Sequence, residues 1–298
     1  MKHITLRLPS NGPIDLALCN QPATELESDR AASRDGAIYR AGRIAGVPVL
    51  LRARSIKEDE IEVRVSPADE IPLPDEHIIA TALRRKFSLD LDLPAFYDFL
   101  KAHPKLQSLP VRQRGLRPIL KDSLLEALWL AVMDQQVNVA FAGRLKRRFL
   151  EAYGRCYDLD GLELWLLPTI EEVAGLDLHA LCPLQFTRNR SSFIIRLARR
   201  FLAEPQWETL QGTDEEVVRQ LCQLNGVGPW TAEYAAMVGL GLVDTFPAAD
   251  IGLLDAAQQL FELPERPTAD QVRKLGQDWS PWRGLVTFYI WHQYEMET

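Results

Sequence analysis

The sequence is poor in cysteine, has no long apolar run and carries fewer basic than acidic residues, and each shortage narrows what the protein can be. Its four cysteines, Cys19, Cys156, Cys182 and Cys222, show no C-x-x-C or other metal-ligand spacing. A disulfide scaffold and a paired-cysteine zinc site are therefore excluded, and reduced thiols in a cytoplasmic protein are expected. No H-x-x-x-H motif or array of acidic ligands is present, so no catalytic metal is expected. No apolar stretch reaches the roughly 20 residues that a membrane helix requires. The opening MKHITLRLPSNGPIDL lacks the continuous apolar core of a secretory signal, so no membrane partner is expected. With 34 Lys and Arg against 41 Asp and Glu, the formal net charge is −7, which argues against nucleic-acid binding through overall charge while leaving room for a local basic face. Nucleotide-binding loops and the nucleophile elbow are missing as well, which makes other common enzyme classes remote.

What is present divides by texture. Residues 1–88 read as a small α+β domain. His3 to Leu8 alternates, as do Ile61, Val63 and Val65, and Val47 to Leu51 is a short apolar run, the period-two pattern of half-buried strands. Asp75 to Lys86 reads as a helix, with Ile78, Ile79, Ala82 and Leu83 on one side. Pro94 to Pro118 reads as a short helix followed by a Pro- and Arg-rich linker. From Asp122 onward the pattern is helical, with an N-cap near Asp122, an apolar stripe of Leu125, Leu128, Trp129 and Val132, a connecting region from Leu159 to Leu181 containing a helix at Thr169–Ala174, and amphipathic helices at Arg188–Leu202 and Glu215–Leu224. The fold class is mainly α with an N-terminal α+β domain, and residues 89–298 form the helical body. Two basic clusters qualify the acidic total: Arg144, Lys146, Arg147 and Arg148, then Arg188, Arg190, Arg196, Arg199 and Arg200. Either is a solvated helix face or a phosphate-contacting one.

The most informative stretch is LCQLNGVGPWTAEYAAMVGLGLVDTFPAAD, Leu221 to Asp250. A Gly226-Val227-Gly228 turn separates two helical patterns, both glycines are expected to take positive φ, and Pro229 suits the first turn of a new helix. Such a turn aims backbone N–H groups at an anion. LNGVGPWTAEYAAMVGL followed by FPAAD resembles the signature of the helix-hairpin-helix (HhH-GPD) DNA glycosylase superfamily, and within it the 3-methyladenine DNA glycosylase II type. Blocks at Ala131 (AVMDQQVNVAFAGRL), Leu167 (LPTIEEVA) and Trp279 (WSPWRGLVTFYIWH) occur in the order of that type. The resemblance covers residues 120–298 well and is loose before them.

The resemblance implies that residues 1–88 are an antiparallel-sheet domain, and it implies a helix-hairpin-helix at about 215–240 and a partner, damaged double-stranded DNA, bound by a monomer. It implies an enzyme that flips an alkylated base from the duplex and hydrolyses its N-glycosidic bond. Asp250 would be the catalytic carboxylate, although an Asp before the apolar run Ile251–Leu260 is also a good helix N-cap. Ala249 precedes it where some relatives have a second Asp. Trp230, Tyr234 and Trp291 would line the base pocket, against the plainer reading of Trp230 and Tyr234 as core residues four apart on a helix. Gln136, Gly226, Gly228 and Thr231 would contact DNA. Gln136 stands in the loop that plugs the gap left by the base, at a position where this type often has an apolar side chain. The backbone carbonyls of Cys222, Leu224 and Val227 would hold a monovalent Na+ or K+, with no other cofactor; the iron–sulfur cluster of some relatives is excluded because no cysteine follows Cys222. Bifunctional members carry a Lys two residues past the second hairpin glycine. Trp230 occupies that position, which predicts a monofunctional enzyme leaving an abasic site. Trp282 and Phe288 read as core, Arg283 as the partner of a carboxylate or helix end, and His292 as structural. Two alternatives remain: a non-catalytic helix-hairpin-helix DNA-binding module, and a glycosylase for oxidised purines.

Overall fold

The computed structural model describes residues 3–20 and 31–297. Five strands, β1 (Ile4–Pro9), β2 (Ala31–Arg34), β3 (Ala37–Ile44), β4 (Val47–Lys57) and β5 (Glu60–Pro67), form an antiparallel sheet in the order β1-β5-β4-β3-β2. The alternation in β5 is the reason for its placement: Ile61, Val63 and Val65 all face the interior and are fully buried. The short helix α1 (Leu16–Cys19) lies near the sheet, and α2 (Glu76–Lys86) packs on it through Ile79 and Leu83, while Ile78 is exposed.

Strand β3 is buried on nearly its whole length because both of its faces are covered. One face meets the core beneath α2. The other, through Ala37, Tyr39 and Ala41, meets Leu164 and Leu166 of a β-hairpin formed by β6 (Arg155–Leu159) and β7 (Leu162–Leu166). That hairpin corrects the reading of Leu159–Leu181 as a connection with one helix. Its signal is Asp160-Gly161 between alternating residues, and both turn residues take positive φ, 55° and 78°, the geometry that a two-residue hairpin turn needs.

The helices are α3 (Leu93–Lys101), α4 (Leu109–Arg112), α5 (Leu124–Asp134), α6 (Val139–Tyr153), α7 (Ile170–Ala174), α8 (Arg188–Ala203), α9 (Asp214–Leu221), α10 (Pro229–Ala235, continued by a π turn at Ala236–Leu240), α11 (Ile251–Leu260), α12 (Ala269–Leu275) and α13 (Arg283–Glu297). They surround two apolar cores. One is built around α5, whose residues Leu124 to Met133 are buried on every side; the expected one-sided stripe belongs to a central helix instead. The other joins α3 and α4 to α11, α12 and α13 through Leu93, Phe96, Leu109, Leu253, Val272 and Tyr289.

The expected linker therefore folds into the second core. Leu106, Leu109 and Leu116 are buried there, and the Arg117 guanidinium, with no exposed surface, donates to the carbonyls of Pro13, Ser88, Leu91 and Asn11. One arginine thus satisfies carbonyls that a buried loop would otherwise leave unpaired. The cap of α5 also moves by one residue. Ser123 Oγ accepts the Glu126 N–H, while Asp122 pairs with Lys86 of α2 and accepts the Arg43 N–H of β3. Asp122 thereby ties the sheet to the helices.

Candidate active site

A cleft of about 1490 Å³ opens between the two helical cores. Three elements converge on it: the α9–α10 hairpin, the loop between α5 and α6, and the turn that starts α11.

The hairpin turn is set by Gly226, whose φ is +87°, and a Cβ there would lie 2.6 Å from the Phe193 ring of α8. Backbone conformation and packing both require glycine at this point. Gly228 does not take positive φ as expected. It is extended (φ −89°, ψ 175°) and is the N-cap of α10, followed by Pro229 in the first turn. Open space lies where its side chain would be, so any need for glycine there comes from something that approaches from outside. The first N–H groups of α10 have no intrahelical acceptor and point out of the turn.

Trp230 and Tyr234 share one face of α10, with ring centroids 5.6 Å apart and planes 18° from parallel. Trp291 from α13 lies 6.0 Å from Tyr234 at 49°. A ring inserted between two others needs about 7 Å, two carbon contact distances. These gaps are smaller, so a flat guest must stack on an outer face of the cluster.

Asp250 sits at its edge, and the structure shows it as the helix cap that the sequence allowed. As the N-cap of α11, its Oδ1 accepts the Leu253 N–H at 2.9 Å. The same oxygen accepts Trp291 Nε1–H at 2.9 Å, and Oδ2 accepts Trp230 Nε1–H at 2.9 Å. Two bonds use both lone pairs of Oδ1, whereas Oδ2 keeps one unused among the described residues. Cap and carboxylate are therefore compatible: backbone and indoles fix the plane of the carboxylate, and one lone pair remains for a further guest.

At the cleft mouth, Gln136 is exposed and left-handed, with φ 53°, a conformation that costs a non-glycine residue on the order of 1–3 kcal/mol. Exposed Val139 and Ile251 flank the opening. Thr231 stands differently from the expectation of a DNA contact. The whole residue is only 2% exposed and its hydroxyl accepts from Gln135 Nε2 at 2.8 Å, so its side chain is engaged inside the protein.

Several residues near the cleft were read otherwise from the sequence. Lys146, placed in a basic cluster, is buried and pairs with Asp134 at 2.6 Å in the cleft wall. Arg147 pairs with Glu151, Arg200 with Glu204, Arg199 donates to the carbonyls of Ala174 and Leu176, and Arg190 to those of Val132 and Gln135. Lys146, Arg190 and Arg199 thus tie elements of the fold together, while Arg147 and Arg200 form exposed pairs with a carboxylate four residues on. His292 lines the cleft with both ring nitrogens sealed from solvent and without a hydrogen-bond partner among the described residues. Burial pulls its imidazole below the ordinary value, and the nearby Leu18 carbonyl opposes this only in part. Phe288, expected in the core, is half-buried and also lines the cleft. Arg283 meets its expectation, clasping Asp244 at 2.8 Å. Among the described residues no helix is long and apolar enough to cross a membrane.

A glycine-kinked hairpin, a projecting loop and a capped carboxylate around one aromatic cleft place the protein among the helix-hairpin-helix proteins. Residues 130–281 match the HhH-GPD superfamily of base excision DNA repair proteins, and the chain belongs to that family. It is similar to a DNA-3-methyladenine glycosylase of Bacillus subtilis, 36% identical over 208 residues that cover 69% of this chain and 68% of that protein. DNA-3-methyladenine glycosylase 2 of Escherichia coli is 32% identical over 162 residues, 54% of this chain and 55% of that one. Among solved structures, the fold matches a 3-methyladenine DNA-glycosylase from Archaeoglobus fulgidus with a TM-score of 0.84 at 22% identity, over 98% of this chain and 99% of the other. It also matches an 8-oxoguanine glycosylase/lyase of Clostridium acetobutylicum bound to double-stranded DNA, with a TM-score of 0.74 at 15% identity, over 99% and 98%.

Proposed function

We infer that this protein is a monofunctional base-excision repair glycosylase acting on alkylated bases such as 3-methyladenine in duplex DNA. The observation that carries the reading is Asp250, held by the indoles of Trp230 and Trp291 at the edge of the aromatic cluster. The relatives named for 3-methyladenine excision support the choice of substrate class. The hairpin N–H groups grip a phosphate, Gln136 fills the gap in the stack, and the base swings into the cleft. An alkylated purine carries positive charge, and the faces of Trp230, Tyr234 and Trp291 attract a desolvated cation by up to ~2 kcal/mol. The same charge weakens the glycosidic bond. As that bond breaks, its electron pair leaves with the neutral base, and cationic character grows at the sugar C1′. The Asp250 carboxylate stabilises it through Oδ2 and directs a water to C1′; the proton lost by that water passes to the carboxylate or to solvent, leaving an abasic site. Trp230 offers no amine to attack C1′, so no Schiff-base strand cleavage follows.

A monovalent cation on the carbonyls of Cys222, Leu224 and Val227 belongs to the same proposal. Leu224 O already accepts the Val227 N–H at 3.1 Å and retains one lone pair for an ion. It would link the hairpin to a phosphate.

The test is release of free 3-methyladenine from DNA treated with a simple methylating agent, with Asp250→Asn beside the wild type. Release by the wild type alone supports the reading. Release by neither, with duplex binding intact, leaves a non-catalytic DNA-binding module.

A further inference from the structure

Gln135 lies between the projecting loop and the hairpin and bonds to both. Its Nε2 donates to Gly226 O at 3.1 Å and to Thr231 Oγ1 at 2.8 Å. Gly226 is the kinked residue of the hairpin and Thr231 stands in the first turn of α10. A carbonyl can only accept, so Gly226 O fixes which end of the Gln135 amide faces the hairpin. The backbone of Gln135 is clamped from the other side, where Arg190 of α8 donates to its carbonyl and, at 3.0 Å, to that of Val132. The Val132 carbonyl lies in the last turn of α5 and that of Gln135 at its C-cap, where carbonyls have no intrahelical partner of their own. Lys146 adds a third tie, holding Asp134, the last residue of α5, to α6. Gln136 follows immediately, exposed and left-handed. Its strained conformation persists because the residue before it is held on both sides.

We propose that Gln135 is a positioning residue that joins the projecting loop to the hairpin as one rigid unit, so that the hairpin's hold on the DNA backbone sets how far Gln136 enters the duplex. This rests on the reading of the hairpin and Gln136 as the DNA-contacting elements. With both bonds present, seating the hairpin on a phosphate places the wedge. Without them, the loop keeps its Arg190 and Lys146 ties but loses its reference to the hairpin, and the wedge no longer follows the grip. A residue needed only for folding would not separate binding from wedge entry.

The variant is Gln135→Met, close in volume and without donors. The probe is a duplex holding a tetrahydrofuran abasic-site analogue with 2-aminopurine beside it, whose fluorescence reports a side chain entering the stack. The expected result is an affinity for an undamaged duplex, which has no gap to take the wedge, within about twofold of wild type, with the equilibrium for wedge entry into the abasic-site duplex, read from the fluorescence change, about tenfold less favourable, the effect of one or two net hydrogen bonds. Thr231→Val, which removes one acceptor, is expected to shift the same readout by a smaller factor. The double variant is expected to be no worse than Gln135→Met, because both act through the same contact. Thermal unfolding of each variant separates a folding defect from a positioning one. A folded Gln135→Met protein with a wild-type fluorescence response overturns the coupling. Equal loss of affinity and response overturns it as well, since the residue would then serve binding in general. The probe needs no chemistry, so failure of base release by the wild type would sink the proposed activity without deciding this coupling.

Discussion

Replacing Asp250 in two ways should separate its two tasks. Asn caps a helix about as well as Asp, so Asp250→Asn can keep Oδ1 on the Leu253 N–H and the Trp291 indole. The amide nitrogen then takes the place of Oδ2 and faces Trp230 Nε1–H, donor against donor across 2.9 Å. A lost partner of this kind costs about 1–3 kcal/mol, or about 2–6 °C in Tm for a chain of this size. Asp250→Ala loses the cap as well, about 1 kcal/mol more, and leaves both indoles without their acceptor. Both variants remove the carboxylate from the cleft, and base release should fall about 10²–10⁴-fold in each, the usual worth of a positioned base or electrostatic stabiliser. Calorimetry and chromatography of released base give the two readouts. The expected pattern is equal loss of activity with the Ala variant melting lower. An Asn variant that keeps more than about a tenth of the activity would refute the chemistry assigned to Asp250, and an Ala variant as stable as the Asn variant would refute the cap.

Gly226→Ala forces a side chain into a φ of +87° and against the Phe193 ring; a loss on the order of 2–4 kcal/mol is expected in denaturant unfolding, and a loss under about 0.5 kcal/mol would mean that the hairpin adapts. Gln136→Gly relieves a left-handed residue, so stability should hold within about 0.5 kcal/mol while the 2-aminopurine response is lost; unchanged fluorescence would remove Gln136 from the wedge role. Asp244 is pushed up by burial, but the side chain and backbone of Arg283 and the Ser280 hydroxyl outweigh this, and its carboxyl ends below the ordinary value. Its folded pKa is thus depressed, so its stabilisation is complete above the unfolded value of about 3.9 and is lost as pH falls through the lower folded one. The stability gap between wild type and Asp244→Asn should close on acidification below about pH 4, and a gap constant down to pH 2 would contradict this. Because Lys146, Arg147, Arg190, Arg199 and Arg200 are engaged within the protein, DNA affinity should depend weakly on salt, with a log–log slope of about −3 or shallower; a slope near −6 would reveal a basic face.

Local rules make much of this protein legible in its sequence. Period-two alternation identifies β5, and glycines before a proline locate the hairpin, because strand pleat and helix start are decided by neighbours in sequence. An Asp before an apolar run marks the α11 cap for the same reason. The Asp160-Gly161 turn was equally local, and its hairpin was open to the same reasoning. Tertiary structure alone decided the rest. Nothing local reveals that α5 is buried on all sides, that Pro94 to Pro118 enters a core, or that Lys146 turns inward to Asp134. Each depends on what packs against the element from far along the chain. The same holds at the site: Asp250 meets Trp291 across 41 residues and Gln135 meets Thr231 across 96. Sequence names the side chains able to do the chemistry, but hydrogen bonds act only near 3 Å, and it is the packing of two helical cores around one cleft that brings them that close.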